Sequence, residues 1–199
     1  MYGYVDNAWA VSPATNDQYY FATAAVGAGG ALTLLKTAAG LNGVGYKVLF
    51  TSAGNSSGES WTIVGHAMGT APGVVTTESV TGPNATTGAS TNYYDKITSI
   101  TASGAMTGDQ SVGILGTSVA LPATRIVGVH WVGTGSAGTI VVNRNSASGA
   151  ELLRINTPAA ATATGYLYAG RIPMAGSAAE TDFGLVTLTN VTNCTLICG

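Results

Sequence analysis

The sequence predicts an all-β protein of the β-sandwich or jelly-roll-like kind, with two small β units behind an extended N-terminal arm. Three observations predict it. Short apolar runs of five to eight residues alternate with Gly, Ser, Asn and Pro along most of the chain, the spacing of sandwiches and barrels. β-branched residues are dense within these runs, as in "TNYYDKITSITASG" at 91–104, and such side chains fit a pleated, half-buried surface. Helix signals are scarce: the best, "GALTLLKTAAG", is short and reads equally well as a strand and turn.

Taken in order, residues 1–18 are aromatic, polar and aperiodic. They read as an arm, and its Tyr2, Tyr4 and Trp9 then need a partner surface. The first β unit spans 19–115 and holds the runs "YKVLFTSA", "SWTIVGHA", "VVTTESVTG", "YYDKITSITA" and "QSVGIL". A boundary falls in "GILGTSVALPAT" at 113–124, where Gly and Pro interrupt the pattern. The second unit, 122–199, holds "TRIVGVHWV", "GTIVVNR", "ELLRIN", "TGYLYAGRI", "FGLVTLT" and "CTLIC".

Composition narrows the partners. Charged residues are 8% of the 199 and the formal net charge is −2, against about 25% charged in an ordinary soluble domain. Like-charge repulsion keeps most small domains apart, so a surface of Ser, Thr, Asn and Gly is one to be covered, and self-association is expected. Seven scattered Lys and Arg make no basic stripe for nucleic acid and no hold on an anionic membrane. No apolar run approaches the eighteen or so residues of a spanning helix. The start lacks a basic region followed by a compact apolar one, so it is not read as a secretory signal, and synthesis in a cytoplasm is expected.

Each motif match lacks the context its chemistry needs. Gly54-Asn55-Ser56-Ser57-Gly58 fits G-x-S-x-G, but a nucleophile elbow needs a helix after the serine, and "ESWTIVGHA" is strand-like. Gly133-Thr134-Gly135-Ser136-Ala137-Gly138 fits the dinucleotide fingerprint, yet "TIVVNRN" follows where a helix must open. Both read as hairpin loops. His66 and His130 sit inside apolar strand runs and, with Cys194 and Cys198, lack the close ligand pairs of a zinc site. The two cysteines would lie about 13 Å apart on an extended strand, too far to bridge, and read as buried thiols. Glu180 and Asp182 are close enough for an acidic pair but sit in a turn-like "GSAAETDFG". No catalytic residue, metal or cofactor is expected, and no enzyme activity.

The segment "GYKVLFTSAGNSSGESWTIVGHA…VTTESVTGPNATTGASTNYYDKITSITASGAMTGDQSVGI" resembles a β module of tailed-bacteriophage virion proteins, which pair a "TESVTGPN"-like run with a following "Y-x-K-I-T-S-I-T-x-S-G" strand. The stretch from "RIVGVHWV" to "VTLTNVTNCTLICG" is similar to a second such module, built on "LL-x-I-x-T-P" and a closing "V-T-L-T-N-V". Where the first module commonly carries an Asp- and Gly-containing hairpin, this chain has "GHAMGTAPG", and a virus-specific contact is expected there. The resemblance implies a head decoration (cement) protein on the virion surface, made in the host bacterial cytoplasm. Its partners would be the major capsid protein and other copies of itself. A head-fibre, neck or tail-associated protein with a host-glycan-binding face is the alternative, with Tyr93, Trp131, Tyr166 and Tyr168 as candidate stacking residues.

Overall fold

The computed structural model describes residues 7–10, 15–36, 44–122, 125–159, 164–173 and 183–198. All regular structure among them is β, in antiparallel sheets compatible with a β-sandwich, and there is no helix. The chain separates into two compact units, Ala14–Gly116 and Met1–Pro13 with Thr117–Gly199. The division falls inside one strand, Asp109–Pro122, where the sequence suggests a break: its small residues continue the extended backbone.

The unit Ala14–Gly116 contains β2 (Asn16–Ala25), β3 (Gly30–Ala31), β4 (Gly45–Ser52), β5 (Ser60–Ala67), β6 (Thr76–Thr81), β7 (Thr87–Ala89), β8 (Tyr94–Ala102) and the first part of β9 (Asp109–Pro122). β7 and the first residue of β8 lie in line along one edge of β4, from Thr51↔Thr87 to Tyr46↔Tyr94. β8 then leaves β4 and pairs with β5 from Tyr94 to Ala102. This switch makes two layers, β2-β9-β4-β7 and β3-β8-β5-β6. Their inner faces meet where the rings of Phe50 and Trp61 stack 5.3 Å apart. Val48, Ile63, Tyr94, Ile97, Ile100 and Val112 are among the other side chains of this core, each at most 1% exposed. Burying one such side chain contributes roughly 1.5–3 kcal/mol, which is what the period-2 patterning of β5 secures.

The other unit contains β1 (Asn7–Ala10), the rest of β9, β10 (Arg125–Gly133), β11 (Gly138–Arg144), β12 (Glu151–Thr157), β13 (Thr164–Pro173), β14 (Phe183–Thr189) and β15 (Val191–Cys198). One sheet runs β1-β15-β10-β13 and the other β9-β14-β11-β12. Numbered within the unit, these orders are first-eighth-third-sixth and second-seventh-fourth-fifth, the two interlocked Greek keys of an eight-stranded jelly roll. Val119, Leu121, Ile126, Val129, Ile140, Val142, Val186 and Leu196 are fully buried in this unit. The unit Ala14–Gly116 is therefore an insertion between the first and second strands of the jelly roll. Its own ends meet, Asn16 being paired with Ile114.

The arm expected over residues 1–18 is corrected here. Asn7–Ala10 is the first jelly-roll strand, with Trp9 opposite Leu196, and Asn16 opens β2. Four residues are too few to show an alternation, and the partner of this strand lies at the far end of the sequence. Tyr2 and Tyr4 lie outside the described residues.

Candidate functional site

The motif loops resolve into structural roles. Ser56 is 2% exposed, and its hydroxyl accepts the Thr107 N–H (3.1 Å), donates to the Thr107 carbonyl (3.2 Å) and lies 3.2 Å from Ser52 Oγ. Gln110, also buried, extends its amide to Ser52 Oγ (2.8 Å) and to the Thr107 and Gly108 carbonyls (each 3.0 Å). This polar cluster pins the 53–58 loop to the turn before β9. Neither loop is the expected hairpin: β4 and β5 do not pair, β10 and β11 belong to different sheets, and each loop crosses from one to the other because the partners of these strands lie elsewhere in the chain. In the loop after β10, Gly135 takes φ +97°, and the Asn190 Nδ2 donates to the Ala137 carbonyl at 2.8 Å. β11 follows directly where a dinucleotide site would need a helix.

The candidate aromatics separate by environment. Trp131 lies flat on its cross-strand neighbour Gly165, where an added Cβ would sit 1.9 Å from the ring, so one ring face is already used. Lys47 Nζ stands 5.3 Å from the Tyr93 ring centroid, a cation–π contact. Tyr166 and Tyr168 belong to β13, opposite His130 and Gly128. His130 is exposed on β10. Cys194 is buried, and burial pushes its thiol up to about 12. Glu180 and Asp182 lie outside the described residues. Among the described residues no group of three or more His, Cys, Asp or Glu is placed to hold a metal.

A site that combines exposed apolar surface with ionisable groups lies on β5 and β8. Register shifts in this pair leave Thr98 and Asp95 without a partner across β5, and such bulges re-aim side chains. Asp95 Oδ1 thereby meets His66 Nδ1 at 2.7 Å. The two residues stand 29 positions apart in the chain. His66 Nε2 is buried and, among the described residues, no hydroxyl or thiol hydrogen-bonds to it as a nucleophilic triad would require. The connection after β5 folds back over these residues. Pro72, Gly73, Val74 and Val75 wall a groove of about 270 Å³ with Gly65, His66, Lys96 and Thr98. Val74 and Val75 are 48% and 64% exposed. Gly65 is required beneath it, since a Cβ there would lie 2.2 Å from the Lys96 carbonyl oxygen.

Gly65, His66, Pro72 and Gly73, half of the groove's lining, come from the "GHAMGTAPG" stretch, where the sequence leads one to expect a contact. Lys96, Asp95 and the two valines could not have been singled out beforehand, because their grouping depends on bulges that leave no mark in the pattern of residues. Comparison with models of protein families, with curated proteins and with solved structures gives no match.

Proposed function

We propose that this chain is a virion structural protein of a tailed bacteriophage, a capsid decoration or cement protein that binds the assembled major capsid protein and bridges its capsomers. The observation that carries the reading is the jelly-roll strand order with a second β-sandwich inserted after its first strand, on a chain only 8% charged. Jelly rolls recur in viral capsid and lectin domains. Fold alone does not assign function, and the resemblance of both units to phage virion modules supplies the rest. Attachment would come from covering Thr, Val, Ala and Tyr surface at capsomer junctions, each contact modest and the many copies together strong.

The described side chains suit such a task. Ser56 is consumed by structural hydrogen bonds and His66 has a carboxylate but no nucleophile. The head-fibre, neck or tail reading with a glycan-binding face has less support: Tyr93 and Trp131 are engaged by Lys47 and Gly165, no Tyr, Trp or Phe lines the groove, and the side chains of Tyr166 and Tyr168 lie outside those described. Co-sedimentation of the purified protein with undecorated phage heads tests the proposal. Saturable binding to assembled heads, absent with unassembled capsid subunits, is the expected result; failure to bind heads overturns it.

A further inference from the structure

A sheet edge is a template for another strand, and natural proteins blunt edges with short strands, charges, Pro or bulges. Among the described residues, the outer strands carry such devices in all but one case. β1, β3 and β7 have four, two and three residues. β2 breaks register twice against β9. β12 displays the exposed Glu151–Arg154 ion pair, and β13 contains Arg171 and ends on Pro173.

β6 has none of them. Its six residues, "TTESVT", pair with β5 without a register shift. Among the described residues no backbone group of this strand bonds beyond the β5 ladder. Its single charge is withdrawn from the edge: the Glu78 carboxylate accepts the N–H groups of Thr91 and Asn92, the Asn92 side-chain amide and the Tyr94 hydroxyl. Thr77, Ser79 and Thr81 are exposed, and the exposed Val74 and Val75 lead directly into the strand.

We infer that β6 is a self-association edge, pairing antiparallel with β6 of a second copy about a two-fold axis. With its one carboxylate, Glu78, bound to the 91–94 segment, the strand brings no free charge against its own copy, and Thr and Ser across such a pair stabilise it. A second copy always brings the matching open edge, and the contact is isologous and closed. The valines add apolar burial at each end. The inference rests on the self-association within the proposed function and not on the virion assignment.

Sedimentation velocity of the full chain at micromolar concentrations tests it, with Thr77→Lys and Ser79→Lys as edge variants and Ser148→Lys, on an exposed loop, as the charge control. The expected result is a wild-type dimer whose dissociation constant rises at least about tenfold in each edge variant, or about 1.4 kcal/mol, with unchanged circular dichroism and no change in the control. A monomeric wild type, edge variants that dimerise like wild type, or a control that weakens as much as they do would each overturn it. So would a monomer whose edge variants lose only head binding, since the occupant would then be a capsid strand.

Discussion

Replacing Ser56 by Ala separates a structural serine from a catalytic one. The hydroxyl is 2% exposed and serves the Thr107 N–H, the Thr107 carbonyl and Ser52 Oγ, with Gln110 Nε2 at 3.4 Å. Its loss leaves the Thr107 N–H without this acceptor, and removing one partner of a buried hydrogen bond costs about 1–3 kcal/mol. Taking about 2 kcal/mol, and about 4–8 °C per kcal/mol for a unit near 100 residues, melting should fall by roughly 8–16 °C. Ser57→Ala is the internal comparison: its hydroxyl is exposed and bonds only the neighbouring Asn55 Oδ1, so its cost should stay within about 0.5 kcal/mol. Calorimetry on both variants, with head binding measured alongside, is the assay. Equal stability losses, or an unchanged Ser56→Ala protein, would refute the reasoning, as would lost head binding in a Ser56→Ala protein that remains folded.

Gly65→Ala should destabilise by about 2 kcal/mol or more in urea titration, because its Cβ would meet the backbone oxygen of Lys96 at 2.2 Å, and backbone cannot yield as a flexible side chain can. Deleting residues 1–10 removes the four-residue pairing of β1 with β15; a loss of about 2–4 kcal/mol from its hydrogen bonds is expected by thermal melting, where a loosely attached arm would cost nothing. Stability should hold from neutral pH to about 9 and then fall as pH rises towards 12. The reason is that burial raises Cys194 from 9.0 and Tyr46 from 10.0 to about 12 each in the folded state, so the unfolded chain loses its protons first. Urea midpoints between pH 7 and 12 check this, and a flat profile would contradict it.

The all-β character was legible because β-branched runs such as "SWTIVGHA" and "GTIVVNR" alternate in burial as strands should. The strand after each glycine-rich motif loop was legible for a related reason, its β-branched alternation leaving no place for a helix; that each loop crosses between unpaired strands, and turns no hairpin, was not, because pairing is decided by distant strands. What escaped depends on long-range geometry. The jelly roll is closed by Asn7–Ala10 lying beside Thr195–Cys198, a pairing of the two ends of the chain that no local pattern announces. The His66–Asp95 contact arises from a bulge. The Ser52–Ser56–Gln110 cluster draws on two loops some fifty residues apart, and each of its members alone looks like an ordinary polar residue at the end of a strand.

The proposed function requires attachment in many copies to an assembled phage head. Quantitative mass spectrometry of purified virions, with the major capsid protein as internal standard, tests it most directly. Copies in the hundreds per particle, in a simple ratio to the major capsid protein, are expected. Absence from the particle, or only the few copies that a neck or tail ring would hold, would contradict it.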